Sequence, residues 1–473
     1  MDELTKFYDA NHLKPNPSKT QVCEFHLQTK EVRRRLNITW YNLVASVMHG
    51  FLSSLRFCLC RRSVSLSGVK TSTSAYCCWN THTLPNIVFQ NHVLKKRYLS
   101  FCTSYGNIHI SKSHVELRNN TGSPLHQFNY IWLRDHCRCE KCYNHTTNQR
   151  KLNILDIPTD IEPESYSVKD ELLHITWPDG HHSQYPLSWL KENTYSNYYD
   201  AQKSKWIPWN KGNVNTCGVA KVDLKEYSQT QSGLREVVKS LVTFGVAFVQ
   251  NVPPTVEATE KVVENISHVH RTFFGDMWEF SNVMSHSDTA YTTEALGAHT
   301  DNTYFTEASG LQVFHCLQHN GEGGETLLVD GFNAAKKLKE THPDSYHRLS
   351  KMAIESEFLE PGRHYSCTGP ILQLHPVTGE LQQIRFNLFD RAPVKTLQAD
   401  QVMQFYKDLQ ILANIIADPD GEWWFKLQPG TVVFINNWRI LHGRAAYTGH
   451  RRMAGCYVGH ADWISKARVL GLL

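Results

Sequence analysis

The sequence predicts a mainly β protein with flanking helices, whose larger C-terminal domain is a double-stranded β-helix of the jelly-roll type. Apolar runs of strand length are bounded by glycine or proline in the C-terminal half, and helical segments lie between them. A linker rich in Asn, Gly and Pro separates this half from an earlier β-rich region. We therefore predict an N-terminal extension, a small β-rich domain and the β-helix domain at residues 1–104, 105–206 and 219–473.

The small domain is predicted from short runs of strand-forming residues. β-Branched and aromatic residues recur in these runs, and a Pro-Asp-Gly turn follows the last of them. The predicted elements are strands Val115–Arg118, Tyr130–Leu133 and Leu172–Trp177, a turn at Pro178–Gly180 and a linker at Pro208–Gly218.

The C-terminal domain is predicted from a mixture of helical and strand patterns. Helices with one apolar face are expected to cover the outside of the sheets, and buried strands are continuous apolar runs. The predicted helices are Gly233–Leu241, Val256–Phe273, Lys336–Met352 and Ala399–Ala417. The predicted strands are Val246–Val252, Gly310–Gln318, Glu325–Val329, Gly430–Trp438 and Met453–Val458, with a hairpin over Ile371–Asn387.

A metal-ligand pattern lies at the ends of two of these strands. His299 and Asp301 precede one apolar strand, and His442 is expected to close a later one. A His-x-Asp pair with a distant His is the ligand set of non-haem Fe(II) oxygenases, which leaves part of the metal open for a co-substrate and O2. The tripeptide alone is weak evidence, because His-x-Asp occurs three more times in this chain. We choose His299 and Asp301 as the candidate ligands because they lie at the end of a predicted strand, as His442 does.

Arg451 is the candidate for binding the co-substrate. It follows His442 by nine residues, and a hairpin from the His442 strand to Met453–Val458 would return it to the metal. A guanidinium binds a carboxylate through two hydrogen bonds, as a 2-oxo dicarboxylic acid requires. Arg452 would point to the opposite face of the strand. The alternative is a solvated Arg pair in a turn.

A second metal-ligand pattern lies in the small domain. Cys137, Cys139 and Cys142 form a C-x-C-x-x-C cluster, and His181 or His182 is the candidate fourth ligand. Three thiolates and one imidazole make a closed tetrahedral zinc site, which is structural. The alternative is a loop with three free thiols.

Four segments of the C-terminal domain resemble one known family: Gly323–Thr326, Leu328–Phe332, Asn437–Arg444 and Arg451–Tyr457. They resemble the γ-butyrobetaine/trimethyllysine dioxygenase family of Fe(II)/2-oxoglutarate oxygenases. The resemblance extends from about residue 129 to the C-terminus. Segment His299–Phe305 is closer to the trimethyllysine branch of the family.

The resemblance implies roles for individual residues. The implied iron ligands are His299, Asp301 and His442, and the implied zinc ligands are Cys137, Cys139, Cys142 and His181. The implied 2-oxoglutarate residues are Arg451 and Thr326, with Asn387 near the co-substrate or substrate. The implied aromatic cage for a trimethylammonium group consists of Phe274, Trp278, Tyr291 and Tyr457, with Phe274 standing where the family usually has Tyr.

The cage is physically reasonable, because a quaternary ammonium donates no hydrogen bonds and must be recognised through ring faces. Spacing alone favours another interpretation. Phe273, Phe274 and Trp278 also have the spacing of a core cluster on a helix that starts near Glu257.

The implied reaction is hydroxylation of N6,N6,N6-trimethyllysine at C3, the first step of carnitine biosynthesis. It uses Fe(II), 2-oxoglutarate and O2, with ascorbate as reductant. The alternative within the family is hydroxylation of γ-butyrobetaine to carnitine. From another class, the chain would be an inactive zinc-stabilised module that holds methylated lysine in an aromatic cage.

The N-terminal extension has the composition of a mitochondrial transit segment. Residues 32–115 contain no Asp or Glu, are rich in Arg and Ser, and include an amphipathic stretch after Met48. We therefore expect the mitochondrial matrix. The net charge of +4 does not indicate a nucleic-acid partner, and no apolar run is long enough for a membrane span. The oligomeric state is left open, a homodimer being one of the assemblies that the sequence allows.

Overall fold

The structure is a computed structural model, and it describes residues 107–119, 121–195, 205–281 and 292–473. Two predictions lie outside these residues: the transit segment within residues 1–104, and the assignment of Tyr291 to the aromatic cage.

Two three-stranded antiparallel sheets form the first part of the described chain, in the orders β1-β2-β3 and β6-β7-β8. Their shared core includes Phe128, Leu133, Trp177 and Tyr185, all at most 1% exposed. The elements are β1 Asn107–Ile110, β2 His114–Arg118, β3 Pro124–Asn129, α1 Tyr130–Asp135, β4 Tyr143–Asn144, β5 Gln149–Arg150, a 3-10 turn Ile154–Asp156, β6 Ser165–Lys169, β7 Leu172–Thr176, β8 His182–Pro186 and α2 Leu187–Glu192.

The predicted strand Tyr130–Leu133 is wrong, because these residues form helix α1. Tyr130, Leu133 and Arg134 are buried, and they are spaced by three and four residues on one face of the helix. A single helical turn is too short for its period to be distinguished from that of a strand in the sequence. The burial of this face decided its conformation.

The second part of the described chain carries most of its strands and helices. They are β9 Lys221–Asp223, α3 Leu224–Gln229, α4 Gln231–Phe244, β10 Val246–Gln250, α5 Val256–Glu264, β11 Trp278–Phe280, β12 Leu296–His299, β13 Leu311–Asn320, β14 Thr326–Asp330, α6 Gly331–Thr341, α7 Pro343–Leu349, β15 Ala353–Glu360, β16 Arg363–Pro370, β17 Leu372–Leu374, β18 Leu381–Ile384, α8 Ala399–Ile416, β19 Glu422–Phe425, β20 Thr431–Asn436, β21 Ile440–Arg444, β22 His450–Val458 and α9 His460–Val469.

Two sheets of this part form the predicted double-stranded β-helix. One has six strands in the order β11-β22-β13-β20-β10-β9, and the other has four in the order β12-β21-β14-β19. Consecutive strands alternate between the sheets, since β20 and β22 belong to the first and β21 to the second. The mainly β class with flanking helices is therefore confirmed.

The side-chain alternation of the strands separates the core into layers. In β10, Phe248 packs between the two sheets, whereas Val249 packs against the helices outside the six-stranded sheet. In β14, Leu328 packs between the sheets and Leu327 faces the helices that cover the four-stranded sheet. Strands β10 and β14 are thus buried on both faces, which explains why each appears in the sequence as a continuous apolar run.

Three predicted boundaries need correction. Helix α5 ends at Glu264 rather than at Phe273, and the predicted helix Lys336–Met352 is interrupted before Pro343. Proline lacks the backbone N–H that a continuous helix needs. His442 does not close the strand that precedes it in the chain but lies in the middle of its own strand, β21. No helix of the described ranges is both long and apolar enough to cross a membrane.

Candidate active site

His299, Asp301 and His442 converge at the open end of the β-helix. Strands β12 and β21 are antiparallel neighbours, and His299 stands opposite His442 in their register. The Nε2 atoms of His299 and His442 lie 3.2 and 3.5 Å from Oδ1 of Asp301. One ligand atom from each residue lies within 4.8 Å of the others, so a single metal ion could bind all three.

Asp301 is held in place by Asn437. The Asp301 N–H donates to Asn437 Oδ1 at 2.8 Å, and Asn437 Nδ2 donates to the Asp301 carbonyl at 3.0 Å. Asn437 itself is completely buried in the turn between β20 and β21. The loop with Asp301 is thereby tied to the turn that leads into the His442 strand. These hydrogen bonds orient the carboxylate towards the two imidazoles.

The two histidines present their Nε2 atoms to the same point. His299 Nδ1 lies 2.9 Å from the Gly297 carbonyl, so this nitrogen carries the proton and Nε2 is free to bind a metal. Each imidazole is 6% exposed. A hydrogen bond of this kind fixes both the tautomer and the direction of the ring.

The protonation states suit a metal centre. Burial would raise the pKa of Asp301, but the two nearby imidazoles and the hydrogen bonds lower it to about 2. Burial lowers the pKa of His442 to about 4. At neutral pH the site therefore holds an ionised carboxylate and a neutral imidazole at His442, which are the forms that bind metal.

Arg451 lines the same cavity, together with Thr326 and the three candidate ligands. Its side chain is 6% exposed, and its guanidinium lies over the Tyr447 ring at 5.4 Å. Among the residues that the structure describes, no carboxylate forms an ion pair with it. A buried cation without a counter-ion is a suitable partner for an incoming carboxylate.

Arg452 points away from the cavity, as predicted from strand alternation. Its guanidinium makes two hydrogen bonds of 2.9 Å to Glu279 and is half-exposed. The predicted hairpin between the strands of His442 and Arg451 is wrong, however. Strands β21 and β22 belong to different sheets, so Arg451 reaches the cavity from the opposite wall.

Three of the four predicted cage residues line the cavity: Phe274, Trp278 and Tyr457. The centroids of the Trp278 and Tyr457 rings are 5.7 Å apart. Trp278 lies in β11 opposite Gly455 of β22, and a Cβ atom at Gly455 would overlap the indole. The Tyr457 hydroxyl donates to Asp301 Oδ2 at 3.0 Å. The Tyr457 side chain thus contacts a candidate metal ligand directly.

The interpretation of this segment as a helical core cluster is wrong. Phe273 and Phe274 follow the end of α5, and Trp278 lies in a strand. Phe273 stacks on Tyr365 at a centroid distance of 4.9 Å, which places it among the rings of the β15–β16 hairpin. Phe274 contacts the Phe273 ring at a centroid distance of 4.0 Å and also lines the cavity, so it connects these rings to the cavity wall.

Asn387 lines the cavity, and its amide organises the loop after β18. Its Nδ2 donates to the Thr300 carbonyl at 3.3 Å and to Asp390 Oδ2 at 2.7 Å. Its Oδ1 accepts the backbone N–H groups of Phe389 and Asp390. These hydrogen bonds connect the loop to the residue between His299 and Asp301.

Several residues of the site were not predicted: Phe314, Asp390 and Arg444 line the cavity, and Asn437 holds the Asp301 main chain. Strand alternation could have indicated Arg444, which is two residues after His442 on β21 and therefore on the same face. The others come from distant loops and strands, and no local pattern in the sequence identifies them.

The cysteine cluster also converges, away from this cavity. His181 Nε2 lies 3.3, 3.5 and 3.5 Å from the sulfur atoms of Cys137, Cys139 and Cys142. His182 points elsewhere, with Nδ1 3.0 Å from the Thr176 hydroxyl. Of the two histidines that the sequence left open, His181 has the geometry of a fourth ligand.

Known protein families match both the first and the second part of the described chain. A family model described as "Taurine catabolism dioxygenase TauD, TfdA family" matches residues 211–457, and one described as "Gamma-butyrobetaine hydroxylase-like, N-terminal" matches residues 107–223. Trimethyllysine dioxygenase, mitochondrial, from Mus musculus is 42% identical over 77% of this chain and 87% of its own length.

The corresponding protein from Gallus gallus is also 42% identical, over 76% of this chain and 86% of its own length. Gamma-butyrobetaine dioxygenase from Homo sapiens is 27% identical over 72% of this chain and 90% of its own length. The chain therefore belongs to the TauD, TfdA dioxygenase family and, within it, to the group of the trimethyllysine and γ-butyrobetaine dioxygenases.

Proposed function

We propose that the protein hydroxylates N6,N6,N6-trimethyllysine at C3, using Fe(II), 2-oxoglutarate and O2. One observation carries this proposal. A single cavity is lined by two histidines and an aspartate with metal-ligand geometry, by a buried arginine, and by aromatic rings next to the aspartate. The higher identity to trimethyllysine dioxygenases, 42% against 27%, favours trimethyllysine over γ-butyrobetaine.

His299, Asp301 and His442 would hold the iron. Two imidazole nitrogens and one carboxylate oxygen match the preference of Fe(II), and a three-residue set leaves positions for a co-substrate and O2. Bound Fe(II) supplies the activation of O2, coupled to the oxidative decarboxylation of 2-oxoglutarate. The protein contributes the position and orientation of the reactants.

Arg451 would bind the carboxylate of 2-oxoglutarate that is remote from the metal, with the Thr326 hydroxyl beside it. Burial lowers the pKa of Arg451, but a guanidinium remains charged in proteins. Its charge is balanced by no acidic side chain among the described residues. A dicarboxylate would satisfy this cation and complete the co-substrate site.

Phe274, Trp278 and Tyr457 would hold the trimethylammonium group, with Tyr291 as a fourth ring. Each well-placed ring contributes about 0.5–2 kcal/mol to the binding of a cation. Tyr457 is both a ring of the cage and a hydrogen-bond donor to Asp301. The cage would therefore fix the distance between the cationic end of the substrate and the metal. This distance selects the carbon that reacts.

We further propose that Cys137, Cys139, Cys142 and His181 bind structural zinc. Three thiolates and Zn²⁺ leave one negative charge, and Arg134 is placed to balance it. Its Nη1 lies 3.4 Å from Cys142 Sγ, and its Nη2 lies 3.1 Å from Asp179. Side chains that hydrogen-bond to the ligand atoms in this way are typical of metal centres.

The remaining features of the proposal rest on the family. The mouse and chicken relatives are named mitochondrial, and the acid-free N-terminal segment agrees with mitochondrial import. We propose the matrix as the site of action, ascorbate as the reductant and a homodimer as a candidate assembly. The division into 105–206 and 219–473 is the proposed domain boundary.

The test is an assay of purified protein with Fe(II), 2-oxoglutarate and either trimethyllysine or γ-butyrobetaine, with succinate and hydroxylated product measured. We expect turnover of trimethyllysine, and Asp301→Ala should abolish it. Preferential turnover of γ-butyrobetaine would assign the other branch of the family. Binding of methylated lysine without succinate formation would indicate that the protein is a binding module and not an enzyme.

A further inference from the structure

A β-bulge in strand β13 turns His319 to the same side of the sheet as Arg451. The register of β13 with β22 shifts between Cys316 and Gln318, and His319 then stands directly opposite Arg451. Opposed residues of an antiparallel pair point to the same face. Without the bulge, alternation from the inward-facing Cys316 would place Gln318 on this face and His319 on the outer one. Bulges that redirect a side chain in this way are common beside active sites.

His319 and Arg451 pack against the same two residues, Gly324 and Tyr447. A Cβ atom at Gly324 would lie 3.0 Å from His319 Cε1 and 3.6 Å from Arg451 Cδ. The Tyr447 ring is nearly perpendicular to the His319 ring, with 6.0 Å between their centroids, and the Arg451 guanidinium lies over it at 5.4 Å. His319 therefore supports the residues that set the direction of the guanidinium.

The His319 imidazole has more positive than negative charge around it. Burial lowers its pKa, and the charges of Lys426 after β19 and Arg451 on β22 lower it further. Glu325, before β14, has a smaller effect in the opposite direction. Its Nε2 is buried and has no hydrogen-bond partner among the residues that the structure describes. Without a bound anion, the imidazole is therefore neutral at neutral pH.

A dicarboxylate bound at Arg451 would change this balance. Its remote carboxylate would compensate the guanidinium charge, which is one of the causes that keep a proton off His319. A nearby negative charge favours the protonated form of an imidazole, so the pKa of His319 would rise on binding. By linkage, a protonated His319 would in turn strengthen the binding of the carboxylate.

We propose that His319 is a positioning residue of the co-substrate site, which supports Arg451 and takes up a proton when 2-oxoglutarate binds. The inference rests on the proposed function, because it requires the remote carboxylate of 2-oxoglutarate at Arg451. His319 is not among the residues that line the cavity, so it acts through Arg451 and through its charge. The affinity for 2-oxoglutarate should therefore decrease as the pH rises and His319 loses its proton in the complex.

The test is calorimetry of 2-oxoglutarate binding to the Fe(II)-loaded protein, without O2 and without trimethyllysine. Titrations in two buffers of different ionisation enthalpy give the number of protons taken up. We expect the unmodified protein to take up a fraction of a proton near the ordinary histidine pKa of about 6.5 and above it. Between pH 6.5 and pH 8, Kd should rise by about 2- to 5-fold more than in His319→Gln, the range for charges near each other and partly exposed to solvent.

Two further variants separate this role from a structural one. His319→Phe keeps a ring beside Tyr447 but cannot bind a proton, so it should lose the proton uptake and raise KM for 2-oxoglutarate with kcat little changed. The matched control is His347→Gln, which removes an exposed histidine of helix α7 outside the cavity. It should take up as many protons as the unmodified protein.

The outcomes distinguish this inference from the proposed function. If 2-oxoglutarate does not bind, or if Arg451→Gln binds it as tightly as the unmodified protein, the proposed co-substrate site fails and the inference fails with it. If binding depends on Arg451 but the unmodified protein takes up no proton, only the role of His319 is overturned. Equal proton uptake in His319→Gln and the unmodified protein would overturn the same role.

Discussion

Tyr457 is the residue whose two roles can be separated most sharply by mutation. Its ring belongs to the proposed cage, and its hydroxyl donates a 3.0 Å hydrogen bond to Asp301 Oδ2. Tyr457→Phe removes the hydrogen bond and keeps the ring. Tyr457→Ala removes both. The pair of variants therefore distinguishes support of the metal ligand from recognition of the substrate.

The expected magnitudes follow from these contacts. A hydrogen bond to a charged group contributes about 1.5–3 kcal/mol, and loss of a group that orients a metal ligand costs about 10- to 100-fold in metal affinity or activity. We therefore expect Tyr457→Phe to weaken Fe(II) binding and lower kcat, with KM for trimethyllysine little changed. Tyr457→Ala should in addition raise this KM by about 2- to 30-fold, because a cage ring contributes about 0.5–2 kcal/mol.

The assay is steady-state turnover at varied trimethyllysine, combined with titration of Fe(II) into each variant. Trp278→Phe is a useful comparison, because it changes a cage ring that has no hydrogen bond to Asp301. The reasoning is refuted if Tyr457→Phe raises KM for trimethyllysine as much as Tyr457→Ala does while Fe(II) affinity stays the same.

Three further predictions concern other parts of the structure. Arg451→Gln should raise KM for 2-oxoglutarate by at least about 10-fold, since it removes a charge-assisted carboxylate contact, whereas Arg452→Gln on the outer face should change it little. His181→Ala should release zinc, measured by metal analysis, and lower the melting temperature, while His182→Ala should retain the metal; equal zinc content in both would contradict the assignment. Burial lowers the pKa of His315 to about 4 in the folded protein, below its value in the unfolded chain. As the pH falls, the unfolded chain therefore takes up a proton before the folded protein does. The free energy of unfolding should drop by about 2 kcal/mol between pH 7 and pH 5 from this group. Urea denaturation at both pH values should show a smaller drop for His315→Gln, and an unchanged drop would contradict this origin.

The sequence could predict those features that depend on local spacing. Strand alternation placed Arg451 and Arg452 on opposite faces, and apolar runs predicted five strands of the two sheets, β10, β13, β14, β20 and β22. The fold class followed from these runs, because strands that are buried on both faces leave the same apolar signature wherever they pair. Local spacing failed where a segment was too short, as at Tyr130–Leu133, which folds as a helix.

The sequence by itself determined which side chains could bind a metal, a carboxylate or a cation: it supplied the residue types and the periods that set their faces. Only the tertiary structure decided which of them meet. The pairing of β12 with β21 brings His299 to His442, and the turn after β7 directs His181 rather than His182 to the thiols. These choices depend on contacts between residues that are far apart in the chain. Their free energy comes from the packing of whole sheets and loops, which no local period encodes.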